Sequence, residues 1–246
     1  MTDRTGSVLV PALRAPSATS VVRRLFRQTL SSLVYEGALA VEVVGRTHVV
    51  AGFDAERRPV CYSFVAGRAV GFDRVRVGEE PVLRTDAEGV AAEARSVARF
   101  LDEVRAAILA GAHPDELARF AVELEETRVK DALAQYVRTS RGDVLAGAGH
   151  DVLEGTITDG HRYHPAYKSR IGFDLDDHLA YGPEFLPALH PLWLAAHRSV
   201  TEVTTSATTT VEPRQELGAT TVAAFDRRVR DAGGDPADHV WLPVHP

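Results

Sequence analysis

The spacing of apolar residues changes period three times along this chain, and that succession limits the folds open to it. From Ser17 onward, Val22, Leu25, Phe26, Leu30 and Leu33 recur at intervals of three and four, the stripe of a helix. Ser17 or Thr19 is a candidate cap. The period then shortens to two. Residues 37–44 and 47–53 flank Gly45-Arg46, the composition of a hairpin turn; 59–65 and 69–77 flank Gly67-Arg68; 81–84 adds a short fifth strand. Two helical stretches follow. Over 87–109 the stripe is Val90, Ala94, Val97, Leu101, Val104 and Ile108, closed by Gly111. The next helix opens at Pro114, and Asp115 and Glu116 suit its positive end. Its stripe runs from Leu117, Phe120, Ala121 and Leu124 to Leu133, Tyr136 and Val137. The charged run from Glu123 to Lys130 reads as a solvated face, and residues 1–16, with two prolines, as a loose arm.

This pattern predicts an α+β chain. Residues 1–140 form N-terminal helices with a small, mostly antiparallel sheet, and 141–246 start a second α+β domain. The texture changes at the Gly-rich stretch 141–150. Residues 160–173 are then dense in polar groups and have no period. The threonine-rich stretch 201–211 reads as an exposed strand or a flexible loop. Residues 215–232 are helical, with Val222, Phe225 and Val229 on one side and Gly233-Gly234 as the stop. A short strand, 240–244, runs into His245-Pro246, so the second domain reads as cut short.

Composition excludes several classes. At 246 residues and 45% hydrophobic the chain can bury a core, which argues against disorder. One cysteine, Cys61, excludes a disulfide scaffold and reads as a buried, inert, reduced thiol. No apolar run approaches the ~20 residues that span a bilayer. Arg23, Arg24 and Arg27 interrupt the only N-terminal stretch that could serve as a signal peptide, so a cytoplasmic location is expected. The net charge of −6 gives no general affinity for nucleic acid. Of 28 Lys and Arg residues only Lys130 and Lys168 are lysines, which marks both positions.

Lys168 lies in the segment that carries chemistry. Residues 160–173 hold His161, Arg162, Tyr163, His164, Lys168, Ser169 and Arg170 between Gly160 and Gly172. Lysine supplies a compact charge, arginine a bidentate fork, and serine and free backbone N–H groups fixed dipoles. That set suits a multiply charged anion such as a nucleoside triphosphate. The spacing is neither that of a Walker-A loop nor Gly-x-Gly-x-x-Gly. A plain polar surface loop is the bland alternative. Zinc held by His161 and His164 is another, but Cys61 is alone and His178, His190 and His197 are scattered.

The segment resembles the hallmark of the IucA/IucC family, the NRPS-independent siderophore synthetases, whose pattern is Gly-His-Pro-x-His-Pro-x-x-Lys-x-Arg-x-Gly. Gly160, His161, His164, Pro165, Lys168, Arg170 and Gly172 match; Arg162 stands where the family has proline. The resemblance continues through Phe173-Asp174-Leu175, residues 181–185 and 191–198. It ends in Asp235-Pro236 and Leu242 to Pro246, which look like the approach to the family's His-Pro-Trp-Gln segment. It covers roughly 150–246, with 1–140 as the thumb-like N-terminal region and the second domain fingers-like.

The resemblance implies siderophore biosynthesis. ATP and magnesium adenylate a carboxylate of citrate or succinyl type, and an amine or alcohol captures it; small-molecule substrates are the partners, with no nucleic acid or membrane, and a homodimer for the full-length form. Lys168, Arg170 and His164 are then the expected catalytic groups, with Lys168 and Arg170 on phosphate or carboxylate oxygens. Gly160, His161, His164, Ser169, Gly172 and His245 are expected to bind ATP or substrate. No residue is assigned to the magnesium. Glu154 and Asp159 either orient the histidines or help hold the metal, or are ordinary surface acids. The family's later ATP-site residues lie beyond Pro246, so this chain alone is expected to be an inactive part of an AMP-forming ligase. A non-catalytic fragment with weak nucleotide binding, and the zinc protein, are the competing readings.

Overall fold

The computed structural model describes residues 4–67, 76–108, 113–142, 147–203 and 217–245. It divides into two compact units, Met1–Pro187 and Ala188–Pro246. The expected boundary at 140/141 follows sequence texture; compactness extends the first unit to Pro187, because the polar segment packs back on the helices that precede it.

The first unit opens with α1 (Arg4–Arg14) and α2 (Pro16–Tyr35). The arm expected over 1–16 is therefore helical from Arg4. Pro16 explains the break between the two helices. It holds Ala15 extended and itself fits the first turn of α2. A five-stranded antiparallel sheet follows: β1 (Glu42–Val44), β2 (Thr47–Phe53), β3 (Pro59–Val65), β4 (Leu83–Thr85) and β5 (Ala91–Glu93), hydrogen-bonded in that order. The predicted turn at Gly45-Arg46 is present, and β2 and β3 pair from Thr47↔Val65 to Phe53↔Pro59. Most of the strand expected over 69–77 and the stop at Gly111 lie outside the described residues.

The helix expected over 87–109 forms only in its middle. The Asp86 carboxylate accepts from the backbone N–H of Glu88 and Val90. Gly89 adopts φ +81°, and the chain turns back as β5. Helix α3 (Val97–Glu103) begins only where the Ser96 hydroxyl caps Arg99 N–H. The long helix is as predicted: α4 (Pro114–Arg141) starts at His113 with a reciprocal capping box to Glu116. Its charged run is not a solvated face throughout, because Thr127, Lys130 and Asp131 are buried. Two short helices, α5 (His150–Gly155) and α6 (Leu175–Tyr181), complete the unit.

Alternation on β3 puts Val60, Tyr62 and Phe64 into one core with Leu25, Phe26 and Leu30 of α2 and Phe100 of α3. Phe100 meets the Phe26 and Tyr62 rings edge-on at 5.9 and 4.9 Å. Cys61 lies half-buried on the other face of β3. Ala166 of the polar segment also joins this core.

The second unit pairs β6 (Leu192–His197) with β7 (His239–Val244), antiparallel, beside α7 (Ala219–Asp231). Phe225 of α7 contacts Trp193 and Trp241 at 6.3 and 5.2 Å, which fixes the strand face turned to the helix.

A buried carboxylate ties sheet to helix in the first unit. Glu103 accepts from Tyr62 Oη (2.6 Å), Arg84 (2.7 and 2.8 Å) and Arg99 (2.8 Å). Burial pushes its pKa up, but these donors outweigh burial and hold it at about 2. Glu103→Ala leaves Tyr62 and Arg84 without an acceptor. It is expected to cost about 3 kcal/mol, read as a lower urea midpoint with an unchanged slope.

Candidate functional site

The segment 160–173 forms turns rather than regular structure, and three sets of polar contacts hold it to α2 and α4. The first set is to α2. Gln28 Nε2 donates to the carbonyls of His161 and Arg162, both at 3.0 Å, and Ser32 Oγ donates to that of Tyr163 at 3.0 Å. The second is centred on Asp131, which is 0% exposed. Asp131 accepts from Arg24 and Tyr167 Oη, and Gln135 reaches it at 3.3 Å. Burial opposes the charge of Arg24, but the Asp131 carboxylate prevails and raises the Arg24 pKa. Burial raises that of Tyr167, and the Asp131 charge adds to it. The guanidinium of Arg24 also lies 5.3 Å from the Tyr167 ring centre.

The third set is centred on Glu184, just after α6. Lys168 Nζ donates to its Oε1 at 2.9 Å, and Arg170 Nη2 lies 3.3 Å from both oxygens. Arg170 Nη1 donates to His178 Nδ1 at 3.2 Å, so the imidazole proton sits on Nε2, which faces the Lys130 carbonyl at 3.3 Å. Lys130 Nζ in turn donates to the Phe173 carbonyl at 2.9 Å. Burial pushes the Glu184 pKa up, yet the Lys168 hydrogen bond and the two cations bring it to about 2. Burial is the main reason that of His178 falls to about 4, so His178 stays neutral beside two cations.

These contacts reassign several expected residues. Lys168, expected on a ligand's oxygens, is 6% exposed and committed to Glu184. A charge at that depth requires a partner. Arg170 shares the carboxylate but keeps 31% of its side chain exposed. His161 and His164 are exposed neighbours, with ring centres 6.4 Å apart. The backbone N–H groups of Tyr163 and His164 donate to His161 Nδ1 at 3.2 and 3.0 Å, which leaves an Nε2–H to be donated outward. Ser169 Oγ reaches Glu126 at 3.5 Å. A Cβ on Gly160 would overlap the Tyr167 ring, and Gly172 adopts φ +77°, so both bracketing glycines are required locally. Asp159 is taken by Arg24 and Gln135, not by the histidines; Glu154 is exposed. His245 lies in the second unit, at the end of β7. Among the described residues no group of three His, Cys, Asp or Glu side chains could hold a metal, so the zinc reading finds no ligand set.

Sequence reasoning missed Glu184, His178 and Asp131. Asp174, with Asp177 three residues on, forms the capping box that starts α6 and so sets His178 and Glu184 against the segment. That Asp-x-x-Asp spacing was the available signal.

Residues 150–246 match the IucA / IucC family. Across nearly its whole length the chain is 31% identical, over 244 residues, to the citryl-spermidine/3,4-dihydroxybenzoyl-citryl-spermidine:spermidine ligase of Bacillus anthracis. The chain carries an IucA / IucC family segment, and it spans 39% of that ligase while 97% of the chain is aligned. The crystal structure of the petrobactin biosynthesis protein AsbB from Bacillus anthracis superposes on all of this chain and 40% of its own, with TM-score 0.81 and 30% identity. The ATP-bound aerobactin synthetase IucA from Klebsiella pneumoniae shares the fold at TM-score 0.54 and 18% identity, over 92% of this chain and 39% of that one.

The Glu184 cluster predicts how this family segment responds to acid. His178 binds a proton more readily unfolded (pKa near 6.5) than folded (about 4), so its contribution is present above pH 6.5 and lost as pH falls towards 4. Unfolding free energy is expected to drop by about 3 kcal/mol over that window. Glu184, with its folded pKa lowered, adds a further loss only below about pH 4.5. In His178→Gln the decline between pH 6.5 and 4.5 should flatten while the loss below 4.5 remains, as followed by urea unfolding at each pH.

Proposed function

We propose that this chain is the N-terminal part of a siderophore synthetase. The whole protein would use ATP to adenylate a carboxylate of citrate or succinyl type and pass it to an amine or alcohol. The observation that carries the reading is the family's Gly-His…His-Pro…Lys-x-Arg-x-Gly pattern, held on a buried carboxylate so that a cationic edge stays open. The names of the relatives agree with it: a citryl-spermidine ligase, a petrobactin biosynthesis protein and an aerobactin synthetase.

The fit to a nucleotide rests on charge. Lys168 and Arg170 share one carboxylate, Glu184, and His178 beside them is neutral, so the cluster carries a surplus positive charge. Its exposed end is Arg170, the group we place on phosphate or carboxylate oxygen. Lys168 holds the loop from beneath and acts through Arg170 as a positioning residue. The Nε2–H of His161 faces outward as a donor, with His164 and the Ser169 hydroxyl beside it. ATP is the substrate that supplies the adenylyl group. Magnesium would accompany the ATP, with no residue of this chain assigned to it. What the loop contributes is recognition and fixed donors, which cost no reorganisation when charge develops. The remainder of the family's length would supply the other half of the site, and His245 its approach. The reading places the protein in the cytoplasm, acting on small molecules, and carries over a homodimeric full-length form from the family. No helix among the described residues is long and apolar enough to cross a membrane.

Hydroxylamine trapping on purified 1–246 tests this. ATP-dependent hydroxamate should stay at background, while calorimetry detects weak ATP binding that falls about tenfold in Arg170→Ala, the effect of one charged hydrogen bond. Strong hydroxamate formation by the chain alone would refute the need for the rest of the protein. ATP binding indifferent to Arg170→Ala, in a variant shown by circular dichroism to be folded, would refute the role given to the loop.

A further inference from the structure

Two acceptors hold Arg170, the exposed edge of the Glu184 cluster. Its Nη2 lies 3.3 Å from both Glu184 oxygens, and its Nη1 donates to His178 Nδ1 at 3.2 Å. The donors of a guanidinium are coplanar, so fixing both η nitrogens also fixes the direction of Nε–H. No described residue accepts from that Nε–H, and 31% of the side chain remains exposed. A cleft of about 910 Å³ beside α2 is lined by Arg162 and Tyr163 and not by Arg170, His178 or Glu184, so this edge is a separate place.

His178 is itself fixed from behind. It is 0% exposed and meets the Phe185 ring edge-on, with centres 5.1 Å apart. Its Nε2 faces the Lys130 carbonyl at 3.3 Å. A carbonyl only accepts, so it keeps the imidazole proton on Nε2 and turns the Nδ1 lone pair to Arg170. The charged side chains that face His178 are Arg170 and Lys168 from the segment and Glu184 from beyond α6; α4 faces it with the Lys130 backbone. Burial keeps the ring neutral among them.

That neutrality matters to the charge of the site. Lys168 and Arg170 already share Glu184. A second carboxylate at 178 would also hold the guanidinium, but it would cancel the one positive charge left over. A protonated imidazole would offer no acceptor and would repel both cations. A neutral imidazole holds Arg170 and spends none of its charge.

We propose that His178 is a positioning residue for Arg170, a buried neutral acceptor that fixes the direction of the guanidinium while leaving its charge for the bound anion. This role rests on the reading of Arg170 as a contact for phosphate or carboxylate oxygen.

Three variants close in shape separate holding from charge. His178→Asn keeps a neutral acceptor near the place of Nδ1, His178→Asp puts a charged acceptor there, and His178→Leu has none. Nitrogen-15 spectra of the arginine side chains at pH 7 report orientation without any ligand. A guanidinium held at both η nitrogens gives resolved Nη signals, and a free one gives an averaged signal. The Arg170 signals, identified by their loss in Arg170→Lys, should be resolved in the wild type, His178→Asn and His178→Asp, and averaged in His178→Leu. Calorimetry with ATP should give a different order. Binding should stay within about threefold in His178→Asn and fall about tenfold or more in both His178→Leu and His178→Asp. A merely structural role would not weaken binding in a variant whose Arg170 is still held. The wild-type ring adds a readout that no variant can spoil: His178 Nδ1 should show the nitrogen-15 shift of an unprotonated acceptor. Three results would overturn the proposal: a proton on Nδ1, Arg170 signals averaged in the wild type or unchanged in His178→Leu, or equal ATP binding by His178→Asn and His178→Asp. Absence of ATP binding by the wild type, with the spectra as expected, would instead remove the nucleotide reading and leave the positioning standing.

Discussion

Two carboxylates shut away from water, Asp131 and Glu184, hold the polar segment of this protein in shape. An isolated buried carboxylate is costly, so each draws in donors until its charge is met. Asp131 draws Arg24 from α2 and Tyr167 from the segment onto α4. Glu184 draws Lys168 and Arg170 from the segment towards the end of α6, and Arg141 of α4 donates to the carbonyls of Glu184 and Phe185 at 2.8 and 2.9 Å. A stretch with no apolar period cannot fold by burying a face. It is ordered by charge, with Ala166 as its small apolar foothold in the core.

The scarcity of lysine then has a physical meaning. Lys130 and Lys168 are the only lysines in the chain, and both are buried, at 3% and 6% exposure. Both lie in the same corner: Lys130 binds the carbonyl of Phe173, and Lys168 binds Glu184. A compact ammonium with three freely rotating donors fits where a flat guanidinium needs a planar partner. Both positions that the arginine bias spares are therefore interior ones. Lysine at 168 did mark something unusual, but it marks a filled interior rather than an exposed contact.

What could be read in the sequence follows the range of the forces involved. The stripes of α2 and α4, the turn at Gly45 and the alternation of β3 are local patterns, and all appear in the fold. The misreadings arose where a polar side chain overruled an apolar stripe. Val90 and Ala94 fit a helix, yet the Asx turn at Asp86 and the positive φ of Gly89 bend the chain into β5. The arm read over 1–16 is a helix from Arg4, and Pro16 marks only the break before α2. The segment 160–173 was recognisable as a unit because its residue types are unusual together. Which of its cations turn inward was not, because the acceptors, Asp131 and Glu184, come from elsewhere in the chain and leave no periodic trace.

That sorting makes the segment two-sided. Lys168 and Arg170 turn towards Glu184, whereas Arg162 and Tyr163, five to eight residues earlier, line the cleft beside α2. The turn between them, Pro165 to Lys168, is held by Ala166 in the core and Tyr167 on Asp131, so the two sides cannot exchange without unmaking both anchors. A substitution within the segment should therefore act on one side at a time. Replacing the family's proline by Arg162 changes the cleft and leaves the Glu184 cluster as it is, because the carbonyls of residues 161–163, not the side chain at 162, carry the attachment to α2. A loop built in this way can keep its cationic cluster constant while the residue facing the cleft varies.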